Sequence, residues 1–236
     1  MSPPVLLVLG ASGKTGSRVL HQALKRGWQC SAFVRNVERL APSLRPQLSE
    51  VYIGDLNDSM SVSRAIKSAK PDVIVDASSA LPFGHAKGSP ANNADRGQLL
   101  DVVIAALVES ERLDVTKFII VGGQLIPEPG GTINTIFARV LEFLLRYIIA
   151  PVQWKAVDRA IERLWSSPSS FQFTMMRMGE MLEKPSLGKL HPEQTTGGNY
   201  PRTSVSYDDV AEGILDLAED KSKLWSRKAC YMNYVQ

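Results

Sequence analysis

The chain has 236 residues and is poor in the residue types that build metal centres and disulfide frameworks, with two cysteines and three histidines. Cys30 and Cys230 lie far apart in apolar, strand-like contexts, and the histidines show no paired spacing, so no metal site is expected. Charge of one sign is also scarce. The net +3 is too slight to imply a nucleic-acid or membrane-surface partner. No long apolar run is free of charge. The most apolar stretch, "TIFARVLEFLLRYIIAPV" at 135–152, carries Arg139, Glu142 and Arg146 at spacings of three and four. That pattern places the charges on one face and predicts an amphipathic helix over 135–150, a core cover or homodimer face rather than a membrane span. The start "MSPPVLLVLG" lacks the basic stretch and long apolar core of a secretion signal. With two distant thiols, this predicts a reducing, cytoplasmic compartment. No nucleophile stands beside a visible base, so hydrolysis has no support.

What the chain does have is alternation. "PVLLVLG" is a continuous apolar run, as a parallel strand buried on both faces requires. "KTGSRVLHQALKRG" then carries Val19, Leu20, Ala23 and Leu24 at helical spacing and stops at Gly27. Further strands are predicted at 29–35, 49–56, 71–79, 117–123 and 171–179, with helices between them and a late helix in "YDDVAEGILDLAED". The tail "KACYMNYV" reads as an added edge strand. Strand–helix alternation with short links predicts an α/β fold, a Rossmann-like doubly wound parallel sheet with helices on both faces. It is expected to form a single domain over 1–236. Ligands of such sheets bind beyond the carboxyl ends of the strands, where segments 80–96, 124–152 and 180–203 would form the substrate rim.

The stretch "VLGASGKTGSRV" at 8–19 has two readings. Gly13-Lys14-Thr15 is how a Walker P-loop ends, but that loop needs a glycine five residues earlier, and Val8 stands there inside a strand. The compact Gly10-Ala11-Ser12-Gly13-Lys14-Thr15-Gly16 turn between strand and helix instead suits a dinucleotide pyrophosphate. Ser12 and Lys14 are further phosphate donors. After the second strand come Arg35 and Asn36 rather than the acidic residue that would hold the ribose hydroxyls of NAD. A guanidinium there suits a 2′-phosphate, so the expected cofactor is NADP(H). Asp55 and Leu56 end the third strand, where the carboxylate would meet the adenine or cap the next helix. Ala77, Ser78 and Ser79 end the fourth, beside the nicotinamide half. His85, Gln124, His191 and Tyr200 are weaker rim candidates.

These residues carry a resemblance. "GASGKTG", "VRN", "GDL", "FIIVGG", "KAVDRAIERLWSSPSSFQFTMMRMG" and "SVSYDDVAEGILDL" together resemble the atypical short-chain dehydrogenase/reductases, in the branch of NmrA-like, isoflavone-reductase-like and biliverdin/flavin-reductase proteins. The resemblance implies NADP bound across the carboxyl edge of the sheet and hydride transfer to a small, often aromatic, substrate. Typical members of the wider superfamily add a Ser after the fifth strand and a Tyr-x-x-x-Lys pair. Here Gly122 and Gly123 stand at the Ser position, and Pro151 at the Tyr position if Lys155 is the lysine. Lys155 is then the one catalytic candidate, for cofactor contact or proton transfer. The reading that follows is an NADPH-dependent reductase of a conjugated acceptor such as a quinone, flavin, tetrapyrrole or phenolic metabolite. The alternatives are an NADP-binding redox sensor without turnover, or a cofactor-bound isomerase or dehydratase.

Overall fold

The computed structural model describes residues 2–78, 96–123, 126, 129, 136–149, 151–193 and 204–234. The apolar run of the N-terminus becomes β1 (Val5–Leu9), followed along the chain by β2 (Gln29–Val34), β3 (Glu50–Ile53), β4 (Val73–Asp76), β5 (Lys117–Gly123) and β6 (Gln172–Met178). Then come β7 (Met181–Leu182), β8 (Leu190–Glu193), β9 (Val205–Ser206) and β10 (Lys228–Tyr234). Eight of these form one sheet in the order β3-β2-β1-β4-β5-β6-β10-β8, and β7 pairs with β9 apart from it. Every ladder in the large sheet is parallel except β10 with β8. The order reverses at β1, which lies between β2 and β4, so a crevice opens at the carboxyl ends of β1 and β4.

The helices are α1 (Lys14–Lys25), α2 (Ser59–Ala69), α3 (Arg96–Glu109), α4 (Ile136–Leu144), α5 (Pro151–Trp165) and α6 (Tyr207–Glu219). They divide between the two faces as the two-residue period of β1 dictates. Leu6 and Val8 pack with Val19 and Leu20 of α1 and with Val210 and Ile214 of α6. Leu7 and Leu9 point the other way, into Val62 and Ile66 of α2, Val103 and Leu107 of α3, and Val157 and Leu164 of α5. Each such side chain contributes about 1.5–3 kcal/mol by leaving water, which is why a strand with no polar position sits at the centre. The helix ends are closed by local chemistry. Asp58 caps α2 by accepting from the Met60 amide at 3.1 Å, and Ser206 caps α6 by accepting from Asp208. At the far end of α6 the Lys117 ammonium is donated to the carbonyls of Ala218, at 2.7 Å, and Asp220.

Two expectations need correction. The tail strand is not an edge. β10 lies between β6 and β8, with Ala229–Asn233 buried, and β8 takes the edge instead. "LHPE" carries no strand signal, since Pro192 breaks the pattern, and an edge is the position where a proline is tolerated. The helix expected over 135–150 is also broken. α4 runs into a π-helical turn at Leu145–Ile149, and Pro151 opens α5, where its missing N–H costs nothing. Arg146 ties the turn to its neighbours through Glu142 at 3.0 Å and Asp158 at 2.5 Å. Ile136, Val140, Phe143 and Tyr147 remain exposed on one side of this segment. No helix among the described residues is long and apolar enough to cross a membrane, and no metal-ligand group occurs among them.

Candidate functional site

The glycine turn sits at the mouth of the crevice, and its three glycines have separate reasons to be there. Gly10 follows β1 with φ +74°, and a Cβ on it would lie 2.9 Å from the Ser78 backbone. A Cβ on Gly16 would lie 2.5 Å from the Gly10 carbonyl oxygen, and one on Gly13 3.2 Å from the same atom. The Gly13 amide donates to the Gly10 carbonyl at 3.0 Å, and the Ser17 amide to Gly13 at 2.9 Å, so the chain enters α1 without an intervening loop. Gly13 caps α1 with no side chain, and no acidic residue stands in its first turn. The first-turn amides have no acceptor inside the helix and face the crevice with the positive end of the dipole. Backbone brought this close to an open helix N-terminus is a cradle that a pyrophosphate fits.

Around this cradle the sequence candidates fall into place unequally. Ser12 is half-buried and Thr15 buried, with Thr15 Oγ1 3.9 Å from Met181 Sδ. Lys14 is exposed, and its ammonium lies 3.4 Å from Glu183 and 5.5 Å from the centre of the Tyr207 ring. Arg35 follows β2 beside the turn, whose Ala11 amide donates to the Phe33 carbonyl at 3.4 Å. Its guanidinium is exposed and makes no hydrogen bond or ion pair among the described residues. Asn36 is already engaged, accepting from the Glu38 amide at 2.8 Å. Asp55 does not cap α2, since Asp58 does; it accepts from the Asn57 amide at 2.9 Å, and Leu56 beside it is buried.

At the end of β4 the sequence reading missed the chemistry that holds the crevice wall. Asp76 is buried and accepts from the Ser78 amide at 3.1 Å and the Ser78 hydroxyl at 2.5 Å. Arg96, the first residue of α3, is also buried and donates to Asp76 and to the Ser78 carbonyl. Ala77, whose amide donates to Leu9 at 3.0 Å, and Ser78 are thereby fixed against Gly10. The available signal was the Asp closing the apolar run "VIVD", since a carboxylate ending a buried strand needs a partner. Ser79, His85, Gln124 and Tyr200 lie outside the described residues. His191 stands on the edge strand β8, exposed, opposite Asn233.

On the far side of the crevice, Gly122 and Gly123 end β5 opposite Arg177 and Met178 of β6 and present no hydroxyl. Arg177 is buried, donating to the Tyr231 hydroxyl at 2.7 Å. On α5 the stripe Trp154, Val157, Ile161 and Leu164 is buried, while Lys155 is exposed and shares a shallow groove with Asp158, Arg159 and Glu162. The structure thus gathers the glycine turn, Ala77 and Ser78 at one crevice, with Arg35 at its rim. Lys155 lies on the side of α5 away from the core stripe.

A doubly wound parallel sheet with a tight glycine turn at its switch point is the architecture of a dinucleotide-binding protein. The chain belongs to the NAD(P)H-binding family, whose model matches residues 10–221. Among solved structures it is similar to a wide-type short-chain dehydrogenase/reductase from Veillonella parvula in complex with NADP. The TM-score is 0.72, with 14% identity over 97% of this chain and 94% of that one. It is also similar to ChuY, an anaerobillin reductase from Escherichia coli, with TM-score 0.65 and 22% identity over 98% of this chain and 96% of the other. In sequence, an uncharacterised chloroplastic protein of Arabidopsis thaliana is 24% identical over 223 residues, which is 92% of this chain and 73% of that protein.

Proposed function

We propose that the protein is an NADPH-dependent reductase that passes hydride to a small conjugated or aromatic acceptor: a flavin, quinone, tetrapyrrole or phenolic metabolite. The observation that carries the choice of cofactor is Arg35, an exposed guanidinium beside the glycine turn with no partner among the described residues. The cofactor supplies the hydride. The first-turn amides of α1 would hold the pyrophosphate and Arg35 the 2′-phosphate, with Ala77 and Ser78 forming the wall beside them. With Gly122, Gly123 and Pro151 where a Ser and a Tyr would stand, the acceptor takes its proton from solvent or from Lys155. Acceptors of the proposed kind tolerate this, and positioning supplies much of the rate. The likeness to one structure solved with NADP, and to another that is a reductase, supports the reading.

The test is consumption of NADPH and NADH against a panel of these acceptors, with Arg35→Glu beside the native chain. Charge-assisted hydrogen bonds contribute about 1.5–3 kcal/mol, so Arg35→Glu should weaken NADPH by about 10- to 150-fold and leave NADH nearly unchanged. Equal loss for both cofactors would remove the assignment. The missing Ser and Tyr also favour a second reading, an NADP-binding sensor without turnover. Its signature is tight NADPH binding with every acceptor inert. The exposed side of α4 is then the surface for a partner or a second copy, which light scattering on the native chain and on Phe143→Glu would read.

A further inference from the structure

The first turn of α1 is already charged from outside. Glu183 follows β7 and reaches both Lys14, at 3.4 Å, and Arg18. Arg18 also meets Asp208 at 3.2 Å and donates to the Lys14 carbonyl at 3.0 Å. The Tyr207 ring lies beside both cations, 5.5 Å from the Lys14 ammonium and 5.2 Å from the Arg18 guanidinium. The segment is held there, since Met181 and Leu182 pair with Val205 and Ser206, and Met181 Sδ touches Thr15. Two cations and two carboxylates thus balance, with one carboxylate at the end of a helix that has no acid of its own.

We propose that Glu183 is a displaceable counter-ion of the cofactor site: it holds Lys14 in the free protein and must release it when dinucleotide phosphates arrive, so that Glu183 lowers cofactor affinity. This rests on the reading of the glycine turn as the phosphate cradle. Lys14 is the cation that exchanges, because Arg18 keeps Asp208 and the Lys14 carbonyl while Lys14 has a long, exposed side chain. Glu183 is half exposed, so its pairs are screened by water and cheap to open. The carboxylate therefore tunes affinity without blocking the site.

The experiment is a fluorescence titration of NADPH against the native chain, Glu183→Gln, Lys14→Met and the double variant, at low and high salt, with thermal melting to confirm folding. Glu183→Gln should tighten NADPH about two- to fivefold at low salt, the upper range of one exposed ion pair that no longer has to open, with the gain shrinking as salt screens it. In the Lys14→Met background the gain should fall below about twofold, since the contested cation is gone. Unchanged or weaker binding by Glu183→Gln overturns the proposal while leaving the cofactor reading intact. A native chain that binds neither NADPH nor NADH removes the cofactor reading and this inference with it.

Discussion

Replacing Arg96 by Met tests what fixes the wall of the crevice. Side-chain exposure is 4% for Arg96 and 1% for Asp76, so the pair is beyond the reach of solvent screening. With Arg96 gone, the donors left to Asp76 among the described residues are the Ser78 amide and hydroxyl, and its charge stays buried with no counter-charge among those residues. Breaking a buried pair from one side costs about 3–5 kcal/mol. A domain's whole stability is about 5–15 kcal/mol, so Arg96→Met removes about a third to a half of a mid-range value. At about 2–4 °C per kcal/mol for a chain of this size, the melting temperature should fall by about 6–20 °C. The second variant isolates the cause. In Asp76→Asn/Arg96→Met the amide oxygen still accepts from Ser78 but carries no charge, so the double variant should be more stable than Arg96→Met alone. Urea unfolding followed by circular dichroism measures both. A loss below about 1 kcal/mol for the single variant, well under the cited range, or no recovery in the double, would refute the account.

Three further outcomes follow from the same geometry. Gly16→Ala should destabilise and weaken NADPH binding although alanine is the better helix former by about 1 kcal/mol, because its Cβ meets backbone at 2.5 and 2.9 Å; a gain in melting temperature would show that the turn can yield. The Tyr234 phenol is pushed up to about 12 by burial and by its hydrogen bond to Asp209. The folded chain therefore keeps a proton that the unfolded chain releases near 10.0, so stability present below pH 10 is lost as pH rises toward 12. Tyr234→Phe should flatten that part of the curve, and an unchanged alkaline slope counts against the assignment. Burial likewise pushes the Cys30 thiol up to about 12, and Cys230 is also buried. An aromatic disulfide reagent at pH 8 should find no fast thiol in the native chain and two after denaturation.

What was legible in the sequence is what short-range chemistry dictates. β1 announced itself because a strand covered on both faces has no polar position, and α1 because its stripe repeats at helical spacing. The turn between them was readable because three glycines at that interval serve one backbone path. Contacts made across the chain were not readable. Nothing local in "VIVD" names Arg96, which stands beyond a long intervening segment, and nothing near Lys14 points to Glu183. β8 escaped because four residues that include a proline carry no period, yet antiparallel pairing to β10 is enough to fix them. The passage of α4 into a π-helical turn was likewise hidden, and Arg146 within it reaches Asp158 of α5, a tertiary tie that periodicity does not encode.

Lys155 is where the local signal and the observed geometry pull apart most. A general acid must stand within hydrogen-bond reach of the proton's destination, directly or through one water. Trp154, Val157, Ile161 and Leu164 define the buried side of α5, and Lys155 lies with Arg159 and Glu162 on the exposed one. A cation in that company contributes little energy and can be removed cheaply. With an acceptor that solvent can protonate, Lys155→Ala should therefore change NADPH turnover by less than about threefold, far below the effect of removing a general acid. The pH profile should keep its shape. A loss of about 10²–10⁴-fold, the range for a lost general acid, with the profile's alkaline limb displaced, would return the proton-transfer role to Lys155. It would also require the first turn of α5 to face the acceptor in the loaded enzyme. The outcome separates two kinds of active site, one that donates a proton and one that only aligns a hydride with its target.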